Sequence, residues 1–274
     1  MRRLAAPTRL CVAALLCAGM LAAQDAKLWV TAFDEKTGEV LRGLGPQNFT
    51  VSDGSTPLRV VEAEYSEDKL DVVLLADASA IGEGVRPLVA PVIERLAQGD
   101  QMALVAFEQS ATLLQDFTGS KDLLLRAWGS VRYGNNPRIL DALYAVLDGG
   151  FEGTVGRRAA IVMATGVEGS SETGLREVLQ LARRRGVQIH FVYREGADSG
   201  LFEKAAGGSG GAYFFAKKLD LKPDELAARV YAAAKGRYEL QVDGVSALGD
   251  RIKVEIAGLE KGKGKPVATA LAVE

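Results

Sequence analysis

The feature of this chain that most constrains its fold is an apolar run that ends in a short polar segment. Residues Val72 to Ala76 are all apolar, and the segment Asp77-Ala78-Ser79-Ala80-Ile81 follows directly. A continuous apolar run of this length is typical of a strand that is buried on both faces of a parallel sheet. Because open α/β sheets bind ligands at the carboxyl ends of their strands, Asp77 and Ser79 are predicted to lie at a binding edge.

The middle of the chain alternates between strand and helix patterns. Further apolar strands are predicted at Met102–Phe107, Ala111–Phe117, Ala159–Ala164, Val187–Val192 and Ala212–Phe215. Helices are predicted at Val85–Ala97, Lys121–Trp128, Ile139–Leu147, Thr173–Arg185, Leu201–Ala206 and Pro223–Ala234. This alternation indicates an α/β fold with a doubly wound, mostly parallel sheet and helices on both faces.

Two β segments flank this α/β domain, which we place at residues 68–218. Residues 24–67 show strand patterns and no helix pattern, while residues 219–274 show one helix followed by strands. Each segment is too small to fold comfortably alone. Two arrangements remain open: the segments pair into one sheet with the α/β domain inserted between them, or they form two separate flaps.

Residues 1–23 have the features of a secretory signal peptide. Basic residues at the start precede the apolar stretch Leu10–Leu21 and the small residues Ala22-Ala23. The stretch is short for a membrane span, and no later segment reaches the required length. The sequence therefore predicts a secreted or periplasmic protein without a transmembrane segment in the mature chain. A retained membrane anchor is the alternative.

Removal of this segment changes the chemistry of the chain. Both cysteines, Cys11 and Cys17, lie within residues 1–23, so no disulfide is expected in the mature protein. The segment also holds three arginines and no acidic residue, so its loss takes the formal net charge from −2 to −5. An acidic balance disfavours nucleic acid as a partner, because binding to phosphates requires an excess of basic side chains.

Several further motifs follow one another in a fixed order. They are Leu44–Gly54, Gly99–Phe107, Leu113–Thr118, Leu140–Tyr144, Arg157–Met163, Phe202–Ala206 and Ser209–Gly211. Together with Asp77-x-Ser79 they resemble the von Willebrand factor type A domain, in particular a secreted bacterial group that is common in Acidobacteria. The order and spacing of the motifs carry this resemblance, which spans most of residues 27–218.

The resemblance implies a site that is a degenerate form of the family's metal-ion-dependent adhesion site. That site takes two serines from a first loop, a threonine from a second and an aspartate from a third, and such hard oxygen ligands suit Mg²⁺. This chain keeps Asp77 and Ser79 in the first loop, but Ile81, Pro137 and Gly166 stand where the family has serine, threonine and aspartate. We therefore expect no Mg²⁺ or Mn²⁺ cofactor.

Four oxygen-bearing residues near the loops are the candidates for rebuilding a metal site. They are Glu83, Asp141, Thr165 and Glu168. If these residues do not supply ligands, Asp77 is expected to be structural, with its carboxylate satisfied by backbone N–H groups of the loops or by Ser79. A Mg²⁺ or Mn²⁺ ion would bind only if the degenerate site were rescued in this way.

The function predicted from these residues is the binding of a protein partner by the three loops. The predicted contact surface spans Asp77–Gly84, Asn135–Arg138 and Thr165–Ser171. The residues singled out on it are Asp77, Ser79, Ile81, Glu83, Asn135, Asn136, Pro137, Arg138, Thr165, Gly166 and Glu168. Ile81 and Pro137 are expected to make this surface more apolar than a metal site. The alternatives are a structural or assembly subunit that pairs through the edges of its β segments, and a metal-dependent adhesin.

The sequence gives little support for an enzymatic function. The segment Gly207–Gly211 matches the Gly-x-Ser-x-Gly elbow of hydrolases, but that elbow needs a strand before the serine and a helix after it. Here the predicted order is reversed, and the only histidine, His190, precedes Ser209 in the chain. We expect His190 to be a core imidazole with a hydrogen-bond partner, and we expect the protein not to be an enzyme.

Overall fold

The computed structural model describes residues 26–243, 251–259 and 264–272. The predicted signal peptide, residues 1–23, lies outside the described residues. The described chain forms two six-stranded sheets, one in the α/β domain and one in the flanking β segments. No helix within the described residues has the length and apolar character needed to cross a membrane.

The strands and helices alternate in the middle of the chain, as the sequence predicts. The strands are β1 Ala26–Asp34, β2 Phe49–Asp53, β3 Thr56–Ser66, β4 Leu70–Asp77, β5 Gln101–Phe107, β6 Ala111–Thr118, β7 Arg157–Ala164, β8 Val187–Tyr193, β9 Tyr213–Phe215, β10 Arg237–Asp243, β11 Ile252–Ile256 and β12 Pro266–Ala272. The helices are α1 Arg86–Glu94, α2 Lys121–Gly129, α3 Ile139–Gly149, α4 Leu175–Arg185, α5 Ser199–Gly208, α6 Ala216–Leu219 and α7 Pro223–Lys235.

The α/β sheet has the strand order β6-β5-β4-β7-β8-β9, in which only β6 runs antiparallel to its neighbour. Every residue of β4 is buried, because helices cover both faces of the sheet. Val72 and Leu74 pack in one core with α1, α2 and α7, whereas Val73 and Leu75 pack in a second core with α3, α4 and α5. The predicted α/β fold with a mostly parallel sheet is confirmed.

Besides the 3₁₀ turn Gly82–Gly84, the structure contains two short helical elements that the sequence patterns do not predict. The expectation of no helix in residues 24–67 is wrong, because a 3₁₀ turn spans Pro46–Asn48. Its geometry is fixed locally, since the Gly45 N–H donates to the Asn48 side chain at 3.0 Å. The other element, α6, has only four residues. Neither is long enough to show a helical period.

The two flanking β segments form one antiparallel sheet, with the order β11-β2-β3-β10-β1-β12. We call these six strands the β unit. The α/β domain is inserted between β3 and β10. One face of the sheet encloses a core that includes Leu28, Val30 and Leu240. The other face of β1 packs on the α/β domain, where the Gln188 side chain donates to the Thr31 hydroxyl at 3.2 Å.

Candidate functional site

Three loops meet at the carboxyl edge of the α/β sheet, and we call this region the three-loop edge: Asp77–Gly84, Asn135–Arg138 and Thr165–Ser171. The first loop follows β4, and the third follows β7, the strand beside it. Backbone hydrogen bonds join the loops, since Ala80 N–H donates to Asn135 O at 2.9 Å and Gly169 N–H donates to Pro137 O at 2.8 Å. The structure therefore brings together the three loops that the sequence singles out.

Asp77 is fully buried, and its carboxylate links the first loop to the third. One oxygen accepts the Ser79 N–H at 2.9 Å. The other accepts both the N–H and the hydroxyl of Thr165, at 3.2 and 2.9 Å. Thr165, a candidate metal ligand from the sequence, thus donates its hydroxyl to Asp77. Three hydrogen bonds to the charged form satisfy the carboxylate within the protein.

Gly166 follows Thr165 in the third loop, and the backbone there admits no side chain. Its φ angle is +109°, which L-residues rarely adopt. A Cβ atom at this position would lie 1.9 Å from the carbonyl oxygen of Glu195. The contact is held by neighbouring hydrogen bonds, including Glu195 N–H to Thr165 O at 2.6 Å and Asp198 N–H to Gly166 O at 3.1 Å.

Glu168 caps the first turn of α3. One of its carboxylate oxygens accepts the N–H groups of Ile139 and Leu140, at 3.0 and 3.3 Å. The other oxygen accepts the N–H and hydroxyl of Ser171, at 2.9 and 2.6 Å. Sequence reasoning missed this role. The available signal was that Arg138, which precedes α3, is not a capping residue type, so the helix needs an acceptor from elsewhere.

The two remaining acidic candidates take different positions. Asp141 accepts the N–H groups of Thr173 and Glu172, at 2.8 and 3.1 Å. Burial alone would raise the pKa of Asp141, but these hydrogen bonds and the charge of Arg138 lower it below its usual value. Glu83 lies exposed on a 3₁₀ turn. Across the described residues, no group of three or more His, Cys, Asp or Glu side chains is placed to hold a metal ion.

The outer surface of the three-loop edge is more polar than the sequence predicts. Ile81 is 47% exposed, and it lies among the exposed residues Glu83, Asn135 and Asn136. Pro137 does not add to the apolar surface, because it is buried. It lies beneath the third loop, whose backbone comes so close that a Cβ on Gly169 would be 2.3 Å from the Pro137 carbonyl oxygen. The prediction that Pro137 is a surface residue is therefore wrong.

Ser79 is the other polar residue that the sequence singles out in the first loop. The side chain is fully buried, and its hydroxyl has no hydrogen-bond partner. The Asp77 carboxylate accepts the backbone N–H of Ser79, not its hydroxyl. The carboxylate of Asp77 is therefore satisfied by the fold, whereas the hydroxyl of Ser79 is not.

The arrangement of β4, β7 and the three loops can now be compared with known proteins. The model of the von Willebrand factor type A domain matches residues 71–226, which is more than half of the chain. The chain belongs to this family. The match to the von Willebrand A domain runs from the second residue of β4 into α7, so it covers the α/β domain and leaves out the β unit. No curated protein matches the chain significantly.

Solved structures similar to this von Willebrand A protein share its fold at low sequence identity. BatB from Bacteroides thetaiotaomicron is 16% identical with a TM-score of 0.45, over 59% of this chain and 99% of BatB. Proximal thread matrix protein 1 from the mussel byssus is 18% identical with a TM-score of 0.54, over 66% of this chain and 50% of that protein. A second structure of the mussel protein has a zinc-occupied MIDAS motif; it is 16% identical with a TM-score of 0.51, over the same shares of each chain.

The residues considered for hydrolase chemistry lie in the core of the domain. Ser209 is fully buried at the end of α5, where its hydroxyl donates to main-chain oxygens of that helix and accepts the Ile189 N–H at 3.1 Å. His190 is also fully buried, and its Nδ1 accepts the Ala212 N–H at 3.0 Å. Burial, together with the charge of Arg157, lowers the pKa of His190 to about 3. Both side chains occupy structural positions.

Proposed function

We propose that this protein is a non-enzymatic module, secreted or periplasmic, that binds a protein partner through the three-loop edge without a divalent metal. The observation that carries the proposal is the closed backbone at Gly166. The family's aspartate cannot be placed there while the Glu195 carbonyl lies 1.9 Å from the position of a Cβ atom. The third loop therefore folds into a shape that supports interaction through its surface and not through an ion.

The hydrogen bonds of the neighbouring carboxylates support the same proposal. Mg²⁺ requires near-octahedral coordination by oxygen atoms. For Asp77 to bind an ion directly, it would have to give up hydrogen bonds from Ser79 and Thr165. For Glu168 to do so, it would have to uncap the first turn of α3. Each exchange costs stability, because the backbone donors left behind are without an acceptor.

The exposed side chains of the edge suggest the chemistry of the partner. Ile81 is the large apolar side chain exposed on this surface, and the exposed Asn135 and Asn136 belong to the second loop, which Ala80 joins through its N–H. The Asn135 amide donates to Glu108, so its oxygen is the group left for a partner. Protein interfaces often combine a buried apolar anchor with a polar rim. We expect the partner to cover Ile81 with an apolar pocket and to form hydrogen bonds with the two asparagines.

The location outside the cytoplasm rests on the signal-peptide pattern of residues 1–23 and on the resemblance to a secreted bacterial group. Fusion of this segment to a reporter that is active only after export tests this part of the proposal. We expect export with the natural segment and no export when Val12, Leu15 and Leu16 of its apolar stretch are replaced by charged residues.

Metal independence is tested by thermal unfolding of residues 24–274, first with EDTA and then with about 5 mM Mg²⁺ or Mn²⁺. A ligand that binds only the folded state raises the melting temperature. We expect the same melting temperature in all three conditions. A saturable increase with either ion would contradict metal independence and would favour a metal-dependent adhesin.

The binding surface is tested with Ile81→Asp, which places a charge in the proposed interface. The matched control is Val155→Asp, because Val155 is 89% exposed and precedes β7 at the opposite edge of the sheet. In a quantitative pull-down from extracts of the exported fraction, we expect Ile81→Asp to lose the partner and Val155→Asp to retain it. Equal retention by both variants would contradict the assignment of the three-loop edge.

A second candidate function is self-assembly through the β unit. The strands β11 and β12 end the sheet, and neither has a further strand partner among the described residues. A cavity of about 290 Å³ lies between them, lined in part by Val254 and Ala270. Open strand edges can pair with another chain. Sedimentation analysis over a wide concentration range tests this function, and a monomer at every concentration would contradict it.

A further inference from the structure

Two buried arginines lie at the end of the α/β domain opposite the three-loop edge. Arg157 begins β7 and Arg237 begins β10, and their exposed fractions are only 8% and 9%. In each side chain the Nε and Nη1 atoms are buried without a hydrogen-bond partner. Buried guanidinium groups normally have acceptors for their N–H groups, so four unpartnered nitrogens in two neighbouring arginines require an explanation.

The Arg157 guanidinium lies against the C-terminus of α7, two residues before Arg237, and its charge acts on Arg237. The Nη2 atom of Arg157 donates to the carbonyl oxygens of Ala234 and Lys235, with the second bond at 2.6 Å. Arg237 follows Lys235 by two residues in the chain, so its backbone starts beside the Arg157 guanidinium. The Cζ atom of Arg237 lies 4.0 Å from the centre of the Trp29 ring.

These positions place the pair at the interface between the β unit and the α/β domain. Tyr238, the next residue of β10, packs in the core of the β unit. Because side chains alternate along a strand, Arg237 points to the opposite face, towards the α/β domain. Arg157 belongs to the α/β domain, and Arg237 belongs to the β unit. A ligand between them would therefore contact both parts of the protein.

The carboxylates nearest to the pair are engaged with other groups. Asp100 accepts hydrogen bonds from Lys235 and Tyr231, both at 2.6 Å. Asp68 is exposed and accepts the Ser66 hydroxyl at 3.0 Å. Within the described parts of the chain, neither arginine of the pair forms an ion pair. Burial lowers the pKa of each arginine to about 10, and repulsion by Arg157 adds to the shift at Arg237. The charges of Asp68 and Asp100 only partly oppose these shifts, without a direct ion pair.

We infer that a small inorganic anion of halide size, such as chloride, binds between Arg157 and Arg237 at this interface. Burial of two like charges is unfavourable unless a counter-charge compensates them. An anion would accept hydrogen bonds from the unpartnered N–H groups and would join the β unit to the α/β domain. A halide fits the observations better than a phosphate or sulfate, because both side chains are more than nine-tenths buried.

The inference is tested by thermal unfolding of residues 24–274 at constant ionic strength, with sodium gluconate replaced stepwise by sodium chloride. Separate series contain phosphate and sulfate at the same ionic strength. We expect a saturable increase in the melting temperature of about 2–4 °C with chloride, as for a ligand that binds only the folded state. Phosphate and sulfate stabilise folded proteins generally, because they are excluded from the protein surface, so only an increase that is lost in Arg237→Gln counts as binding at the site.

Two variants locate the effect. Arg237→Gln removes the charge from one side of the proposed site, and we expect it to lose the chloride dependence. The matched control is Arg59→Gln on the neighbouring strand β3, because Arg59 is exposed and lies 3.9 Å from the Asp243 carboxylate. We expect this control to keep the full dependence on chloride.

Four outcomes would overturn the inference. Equal melting temperatures in chloride and gluconate would mean that water alone occupies the site. A chloride effect that survives in Arg237→Gln would place the anion elsewhere, and an effect of phosphate or sulfate that depends on Arg237 and exceeds that of chloride would contradict a halide. If Arg237→Gln does not fold, crystals of the unmodified chain grown in bromide decide the question. An anomalous peak between the two guanidinium groups supports the site, and its absence overturns it.

Discussion

The two ends of the α/β sheet differ in how their buried polar groups find partners. At the three-loop edge, the carboxylate of Asp77 accepts three hydrogen bonds and that of Glu168 accepts four. At the opposite end, Arg157 and Arg237 together leave four buried nitrogens without a partner. The end that resembles a ligand site is thus largely closed by its own hydrogen bonds, whereas the end without a family role is not.

The difference follows from which backbone groups are free at each end. Loops supply N–H groups that are not used in a sheet or helix, so a buried carboxylate at a loop is readily satisfied. Buried guanidinium groups need several acceptors, but the carbonyl oxygens of neighbouring strands are already used in the sheet. Arg157 finds free carbonyls only at the C-terminus of α7. The remaining donors then need an acceptor from outside the chain.

The largest effect at the three-loop edge is expected from Gly166→Asp, which introduces the residue that the family resemblance leads us to expect at a metal site. We expect it to lower the free energy of unfolding by at least about 3 kcal/mol, because it combines an unfavourable φ angle with a contact of 1.9 Å to the Glu195 carbonyl. Urea unfolding with and without Mg²⁺ measures the effect.

The matched control for this change is Gly200→Asp. A Cβ on Gly200 meets no atom within 4 Å, and the residue lies in the first turn of α5, where an acidic side chain is favourable. We expect little change in its stability. If Gly166→Asp instead folds normally and gains stability from Mg²⁺, the edge is not closed and the comparison between the two ends fails.

The second test concerns His190, a fully buried residue of β8 whose pKa is influenced by the charge of Arg157. Burial, and then the charge of Arg157, lowers its pKa from 6.5 to about 3, so the folded protein keeps this imidazole neutral. The unfolded chain binds a proton below pH 6.5, so stability is lost as the pH falls from about 6.5 towards 3. The slope attributable to His190 is about 1.4 kcal/mol per pH unit in this window.

The variant His190→Asn isolates this slope, because His190 is the only histidine of the chain and asparagine can still accept the Ala212 N–H. Urea unfolding at several pH values between 4 and 6.5 measures it. At pH 4.5 we expect the unmodified protein to have lost about 2.5 kcal/mol more than the variant, relative to pH 7. Parallel curves for the two proteins would show that His190 is accessible to protons in the folded state.

The smallest expected effect is that of Ser79→Ala at the three-loop edge. The buried hydroxyl of Ser79 has no partner, so its removal should change the free energy of unfolding by less than about 1 kcal/mol. The matched control is Ser209→Ala, whose hydroxyl makes three hydrogen bonds, and we expect a loss of about 2 kcal/mol there. If Ser79→Ala proves as costly as the control, the Ser79 hydroxyl has a bound ligand.

The sequence predicts the fold well because the decisive signals are local and strong. The apolar run that ends at Asp77 matches β4, and the helical period of residues 223–234 matches α7 to within one residue. The convergence of the three loops also follows from the order of strands and helices. These features depend on patterns within single segments and on the general rule that parallel strands end at one edge.

The sequence-based predictions fail where contacts between residues far apart in the chain determine whether a side chain is buried. Pro137 has the composition of a loop surface, but the third loop covers it. Glu168 caps a helix that begins about thirty residues earlier in the chain. Arg157 and Arg237 each start a strand after a turn or helix, where an exposed position is usual, and they become buried because the β unit packs on the α/β domain. The burial of these residues and the capping role of Glu168 therefore cannot be predicted from patterns within a single segment.

The pairing of β1 with β12 also determines how the protein responds to tension. Leu28 is paired with Ala272, so Ala26 and Ala272 lie at the same end of this antiparallel pair. A force between these two residues separates the hydrogen bonds one after another instead of shearing them together. The α/β domain emerges from β3 and β10, where Ser66 is paired with Arg237, and Thr269 on β12 also donates to Gly211 of that domain at 2.8 Å. Peeling β12 away from this end is therefore expected to break a hydrogen bond to the α/β domain as well as the pairing with β1.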